Sequence, residues 1–398
     1  MKLLFLTTRL PYPPMGGERV RPFYFLKYFP RNWEITVLSF IERAEELDVL
    51  KRRYHQDNVR VRTVFLSRFE SYMKCMLGLM RQDPLQVAYY SSGRMERLIA
   101  EELRIGNYDC VFAHLLRMGH YLETHKNVAK VLDLSDALTL RYQMSSVLRA
   151  AQSRIIEAIE SKRLARYEPW IARQFDLSLI ASRVDKQFLE DKLGVQRLAV
   201  VENGVEETDL ALHSVQGDPR KIVFFGNMRT FHNVDAALYF YREIFPLVCR
   251  CVPDAQFYIV GAAIPESLKI LARNPAVRVF SDVDAIRPYV EDACVSVAPM
   301  RVAVGIQNKI IQSMAYRVPV ITTTVGLGGI RARSGEHLLV ADAPADFAAG
   351  VIRYVQDSSF RMKIIDAGHR LIQEEYVWPK VTAHLVRLLE GVVSQNHD

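Results

Sequence analysis

Cysteine is scarce in this chain and follows no pattern. Five cysteines (Cys75, Cys110, Cys249, Cys251 and Cys294) occur among 398 residues. The number is odd and C-x-x-C spacing is missing, so neither a disulfide framework nor a cysteine-based zinc site is suggested, and a reducing cytoplasm is the expected compartment. Long apolar runs are missing too: none reaches the roughly 18–20 residues that a membrane span needs. The opening MKLLFLTTRLPYPP is too short in its apolar part for a secretion signal and lacks a small-residue cleavage site, so it reads as a first strand. Acidic residues are outnumbered, 45 against 52 Lys and Arg, for a net charge of +7. That excess favours anionic partners such as phosphate or anionic lipid. Nucleic acid is not expected, because the basic residues are scattered and no recognised module holds them.

Apolar residues make up 49% of the chain and charged ones 24%, which suits a soluble protein with sizeable cores. The length suggests two domains. Short apolar strands alternate with helical stretches from Lys2 to Ser182, the pattern of a doubly wound parallel sheet. The alternation restarts at Ile222. The expected division is a first domain over 1–205, a linker over 206–220, a second domain over 221–377 and a terminal helical segment over 378–398 that packs back toward the first. Two such domains would face each other across a cleft lined by strand carboxyl ends.

The organising stretch is APMRVAVGIQNKIIQSMAYRVPVITTT, residues 298–324. It reads as strand, polar glycine-containing loop, helix and strand, a βαβ unit of a parallel sheet. The helix is expected to begin near Gly305 or Ile306, beside Gln307, Asn308 and Lys309. Free N–H groups there, the helix dipole and the lysine charge together favour phosphate. An ordinary crossover with a solvated lysine fits the spacing equally. Gly16-Gly17 follows the first strand and lets backbone approach a ligand closely, but it is not the dinucleotide fingerprint. His114 ends the strand 108–113 and so faces the ligand crevice of an open sheet, with a structural histidine as the other reading. In RFESYMKCMLGLMRQ, residues 68–82, Phe69, Tyr72, Met73, Met76, Leu77 and Met80 form one helical stripe flanked by Arg68, Lys74 and Arg81. Such a helix either packs on its own core or lies in a membrane interface.

Several motifs carry a resemblance. FFGNMRTFHNVDAALYFYREIFP, FSDVDAIRPYVEDACVSVAPMRVAVGIQNKIIQSMAYRVPVITT, VENGV and LPYPPMGGERVR resemble the family 4 glycosyltransferases of GT-B fold, in particular sugar transferases of bacterial exopolysaccharide loci. The resemblance implies two Rossmann-like domains and a retaining transfer from a UDP-sugar or GDP-sugar to a glycan; that the glycan is lipid-linked is expected from the basic, methionine-rich stretch 68–81 and the positive net charge. It places the base on backbone near Val283 and the diphosphate at Gly305, Ile306, Gln307, Asn308 and Lys309. Gly226 and Asn227 would approach the same phosphates, with Arg229 as a further cation, while Gly16 and Gly17 would close from the first domain. His114 would serve the sugar hydroxyls or the acceptor. No cofactor and no metal are implied. The enzyme would be cytoplasmic, with peripheral contact to the inner face of the membrane through 68–81.

The chain departs from the family at three positions, one of them Arg317 in Arg317-Val318-Pro319, where the family has the glycine of G-x-P. Its signature pair of glutamates falls on Val304 and Gln312. Gln312 can still hydrogen-bond a ribose hydroxyl, at a cost of roughly 1–2 kcal/mol relative to a charged acceptor. Val304 cannot replace a carboxylate. A second reading therefore stands beside the enzyme: a GT-B chain that binds nucleotide without turnover and scaffolds polysaccharide assembly. An epimerase of the same fold is the third.

Overall fold

A computed structural model describes residues 1–14, 17–48, 58–80, 82–148, 151–211 and 217–397. The chain divides into two units, Met1–Glu202 with Val381–Asp398, and Asn203–Lys380. Each is built on an all-parallel sheet with helical crossovers.

Unit 1 has seven strands: β1 (Lys2–Thr7), β2 (Glu34–Ile41), β3 (Val59–Phe65), β4 (Cys110–His114), β5 (Ala129–Ser135), β6 (Leu177–Ile180) and β7 (Leu198–Val200). Their order is β3-β2-β1-β4-β5-β6-β7. The central strands are near-continuous apolar runs because helices cover both faces of the sheet; Leu3, Leu4, Phe5 and Leu6 of β1 are fully buried. Unit 2 has six: β8 (Asp218–Asn227), β9 (Gln256–Ala262), β10 (Val277–Ser281), β11 (Ala293–Ala298), β12 (Val320–Thr322) and β13 (Leu339–Val340), in the order β10-β9-β8-β11-β12-β13. In each sheet the chain winds outward both ways from a central pair, β1/β4 and β8/β11. Ligands of open α/β sheets bind at the carboxyl ends of such a pair.

Some elements differ from the sequence expectation. The helix expected over 145–174 is two, Leu138–Leu148 and Ala151–Ala172. The helix expected at 235–249 starts at Phe231 and passes through a π-turn, Phe240–Ile244, before continuing as Phe245–Cys251. Pro246 lacks the N–H that a regular turn would use, and the wider turn accommodates that gap. The charged helix expected over 42–57 lies largely outside the described residues, as does 212–216 of the expected linker.

Gly261 of β9 lies opposite Gly226 of β8. A Cβ on Gly261 would sit 1.8 Å from the Gly226 carbonyl oxygen. Gly261→Ala is therefore expected to destabilise unit 2 by about 2–3 kcal/mol, read as a lowered denaturation midpoint. A variant with an unchanged midpoint would mean the two strands separate freely there.

Candidate functional site

Unit 2 gathers its candidate residues around the carboxyl ends of β8 and β11. Gly226 and Asn227 close β8. Asn233, in the first turn of helix Phe231–Tyr239, donates from Nδ2 to the Asn227 carbonyl at 2.8 Å. A Cβ on Gly226 would lie 3.0 Å from that same Nδ2, so the glycine leaves room for the asparagine. Lys309 then donates from Nζ to Asn233 Oδ1. Its ammonium also lies 3.5 Å from Met300 Sδ and 4.7 Å from the Phe224 ring centre.

Lys309 is thus not the solvated cation that spacing alone allows. Only 7% of it is exposed, and burial pushes its pKa down to about 7. An ammonium here, with one polar oxygen and otherwise soft or aromatic neighbours, is short of negative charge. Any anion reaching it would restore the proton and gain the full attraction.

The helix that carries Lys309 is Asn308–Ala315, so it begins two or three residues later than the expected Gly305 or Ile306. Gly305 has φ +65°, a left-handed conformation suited to glycine, and this delays helical geometry. Gln307 stands at the N-cap without capping through its side chain; its Nε2 donates instead to the Val304 carbonyl at 3.1 Å. Asn308 Oδ1 accepts from Asn203 Nδ2 at 2.8 Å, which ties the NGV segment to the helix start. Ile306 is buried and Gln312 is half-buried on the same helix.

Arg229 adjoins that cluster through its backbone amide, which donates to Asn227 Oδ1 at 3.1 Å, while no contact joins Val283 to it among the described residues. Arg229 is exposed in the loop after β8, where its charge helps hold the Asp282 carboxyl below the usual range, behind hydrogen bonds from Ser281 and the Ala263 amide. Val283 follows the edge strand β10 and packs half-buried against Val223, Phe225 and Val260. The sequence does contain one Asp-x-Asp, Asp282-Val283-Asp284. Asp282 is occupied by Ser281 Oγ at 2.6 Å and the Ala263 amide at 2.8 Å. Among the described residues no group of three or more His, Cys, Asp or Glu side chains is arranged to hold a metal.

In unit 1 the candidate is His114, and the structure surrounds it with partners the motif does not contain. Its Nδ1 lies 2.9 Å from Asp133 Oδ2. Arg21 grips the same carboxylate in two bonds of 3.1 Å each, Nε to Oδ2 and Nη2 to Oδ1. All three side chains are fully buried. Burial opposes charge on Asp133, but the Arg21 guanidinium and the His114 bond outweigh it and hold the carboxyl well below its usual range. An ionised Asp133 makes His114 Nδ1 the donor and leaves Nε2 with no partner among the described residues. The residues after β4 and beside Asp133, Leu115 and Ser135, take positive φ of 72° and 66°. Backbone strain of this kind collects at working sites.

Gly17 opens the helix Gly17–Tyr28, and Glu18 in its first turn pairs with Arg117 at 2.5 Å. Although burial opposes its charge, Arg117 and then Arg9 keep the Glu18 carboxyl below its ordinary range. Gly16 lies outside the described residues. Sequence reasoning passed over Arg21, Asp133 and Asn233. Arg21 and Asn233 lie inside stretches that carried motifs, GGERVR and HNVDA, and could have been found there.

Comparison with known proteins now bears on this geometry. Residues 219–357 match the model of the family described as glycosyl transferases group 1. A 44.6 kDa protein from the cps region of Klebsiella pneumoniae is 26% identical over 174 residues, 42% of this chain. The match spans 45% of that relative, under half its length. Sucrose-phosphate synthase from Thermosynechococcus elongatus superposes with TM-score 0.73 at 15% identity, over 99% of both chains. HepE of Anabaena, solved in complex with UDP-glucose, gives TM-score 0.68 at 14% identity, over 98% of this chain and 100% of its own. The two parallel-sheet units are those of the GT-B fold, and within the second of them residues 219–357 are similar to the glycosyl transferases group 1 family.

Proposed function

We propose that the protein is a retaining glycosyltransferase that moves a sugar from a UDP-sugar or GDP-sugar to a lipid-linked glycan in bacterial polysaccharide biosynthesis. The observation that carries this reading is the buried chain Lys309–Asn233–Asn227 at the carboxyl end of β8, inside the matched domain. HepE, of similar fold, was solved with UDP-glucose, and the Klebsiella relative comes from a cps region; both support the donor and pathway classes.

In the proposed reaction the acceptor hydroxyl oxygen bonds to the anomeric carbon as the bond from that carbon to the diphosphate oxygen breaks. The electron pair leaves with the diphosphate, and the acceptor proton passes to the donor's own phosphate. The helix start at Asn308 and the Lys309 ammonium offset the charge that builds on the leaving group. His114, held by Asp133 and Arg21, presents Nε2 to a sugar hydroxyl. No resident cofactor or metal takes part.

Nucleotide release from a panel of UDP-sugars and GDP-sugars tests the reading. One donor is expected to be hydrolysed slowly without acceptor and faster with a lipid-linked glycan. If none turns over while calorimetry detects UDP or GDP binding, and Gln312→Glu restores nothing, the scaffold reading replaces it; the missing carboxylates at Val304 and Gln312 favour that outcome.

The membrane side of the proposal rests on helix Arg68–Met80. The described residues of its stripe do not pack into a core: Phe69 is 76% exposed and Met76 63%. Exposed apolar surface of this extent beside basic residues suits an anionic bilayer. Phe69→Asp with Met76→Asp is expected to reduce co-sedimentation with phosphatidylglycerol vesicles at least tenfold. Equal sedimentation by the double variant would remove the membrane from the proposal.

A further inference from the structure

We propose that unit 1 carries a second carbohydrate site, a cavity of about 810 Å³ between helices Arg68–Met80 and Ala151–Ala172, which grips a sugar ring of the acceptor glycan away from the reacting hydroxyl. The nature of the glycan as acceptor rests on the transferase reading above; the site itself rests on the cavity wall.

Two residues of that wall carry polar atoms that have no hydrogen-bond partner among the described residues. They are His120, through Nε2, and Tyr167, through its hydroxyl. Buried polar atoms are normally paired, and an unpaired one asks for a partner. Their chemistry is complementary. His120 Nδ1 lies 3.0 Å from the Arg117 carbonyl and donates to it, so Nε2 keeps its lone pair. Burial pushes His120 down to about 4, which keeps the ring neutral at physiological pH. Burial likewise raises the Tyr167 phenol, which stays a protonated donor. One acceptor and one donor among the residues of one wall suit the hydroxyls of a sugar, each of which both gives and takes a proton.

The remaining lining points the same way. Trp170 is exposed, and its ring lies 5.2 Å from that of Tyr167, a platform for the apolar C–H face of a pyranose. Charges of both signs rim the cavity: Lys74, Arg163 and Arg166 against Asp83 and Glu123. A phosphate headgroup would meet two carboxylates there. A neutral polyol would find donors and acceptors on every side. Lys74 and Arg166 are already hydrogen-bonded, to the Ser91 carbonyl at 2.6 Å and Gln82 Oε1 at 3.2 Å, so part of their donor capacity is used before a ligand arrives.

One segment of chain joins the cavity wall to the sheet edge. The segment 114–123 starts with His114 at the end of β4 and runs on to His120 and Glu123 in the cavity wall. Midway, Arg117 bonds both Glu18 at the edge and Gln86 beside the cavity, the latter at 3.2 Å.

The test is binding of the full chain to a printed array of bacterial oligosaccharides, followed by calorimetric titration of the best binder. Trp170→Ala is expected to weaken that binding at least tenfold and Tyr167→Phe threefold to tenfold, with acceptor-free nucleotide release unchanged in both. Tyr167→Phe keeps the ring and Trp170 is exposed, so loss of fold is not expected, and unchanged melting temperatures check this. Wild type binding no oligosaccharide, or both variants binding as wild type does, would overturn the site. Loss of phosphatidylglycerol-vesicle binding in these variants, without oligosaccharide binding by wild type, would reassign the cavity to lipid and overturn it too. If oligosaccharide binding follows the expected pattern but no donor turns over, the site stands and the transferase reading fails alone.

Discussion

Arg21→Ala destabilises unit 1 by about 3–5 kcal/mol, the expected cost of leaving a buried carboxylate without its cation. Arg21 gives Asp133 two parallel bonds, and its Nη1 also donates to the Val201 and Glu202 carbonyls at 2.9 and 3.3 Å. Its guanidinium further lies 5.0 Å from the Phe25 ring centre. Arg21→Lys should recover little, since an ammonium cannot make the paired bonds. Hydrogen exchange of the β4 and β5 amides is the measurement, because a two-unit chain gives no single unfolding free energy. Adding Asp133→Asn to Arg21→Ala removes the stranded charge and should return part of the loss. If the double variant is as unstable as the sum of the singles, the pair is not an ion-pair unit. The pH dependence has a fixed sign. Asp133 is held low in the folded state, so its contribution is present above its unfolded pKa of about 3.9 and is lost as pH falls through the folded value. Exchange protection of β5 should therefore persist to lower pH in wild type than in Arg21→Lys.

This triad marks where the sequence stops being readable. The alternation of apolar strands and helices is a local signal, and it located both sheets and their glycine loops. His114 was visible because its strand and the carboxyl-end rule are local as well. Arg21 and Asp133 are 112 residues apart, and they meet because β1, β4 and β5 are neighbours in the sheet. Only the strand order brings them together, and periodicity does not encode strand order. The Asn203–Asn308 bond, spanning 105 residues, was unreadable for the same reason.

Burial misleads in a different way. The stripe on helix Arg68–Met80 has the spacing of a core face, yet Phe69, Tyr72, Met73, Met76 and Leu77 are exposed; spacing says that residues share a face and not what covers it. Lys309 is the converse case, a lysine next to a polar loop that turns inward onto Phe224, Met300 and Asn233. The late helix start follows from Gly305 at φ +65°, a conformation that a glycine permits but does not announce.

That inward turn sets up the largest functional effect expected here. Lys309→Met keeps the length of the side chain and removes its charge, and donor turnover should fall about 10²–10³-fold, the scale for removing one preorganised charge from a developing anion. Stability should not fall with it. A buried ammonium with one polar partner is costly, and an apolar replacement of similar volume is neutral or stabilising. A melting temperature at or above wild type with turnover nearly gone would separate a working lysine from a structural one. Retained turnover in a folded Lys309→Met protein would sink the assignment. Proton linkage gives an independent reading. The folded pKa, about 7, lies below the ordinary value near 10.4, so native stability should rise as pH climbs between the two. Nucleotide binding should do the reverse: a diphosphate restores the proton, so affinity should weaken across the same window. Calorimetry at pH 8 in buffers of different ionisation enthalpy would detect uptake of close to one proton by wild type and none by Lys309→Met. Equal uptake by both would mean that the diphosphate meets some other cation and that Lys309 stays neutral beside it.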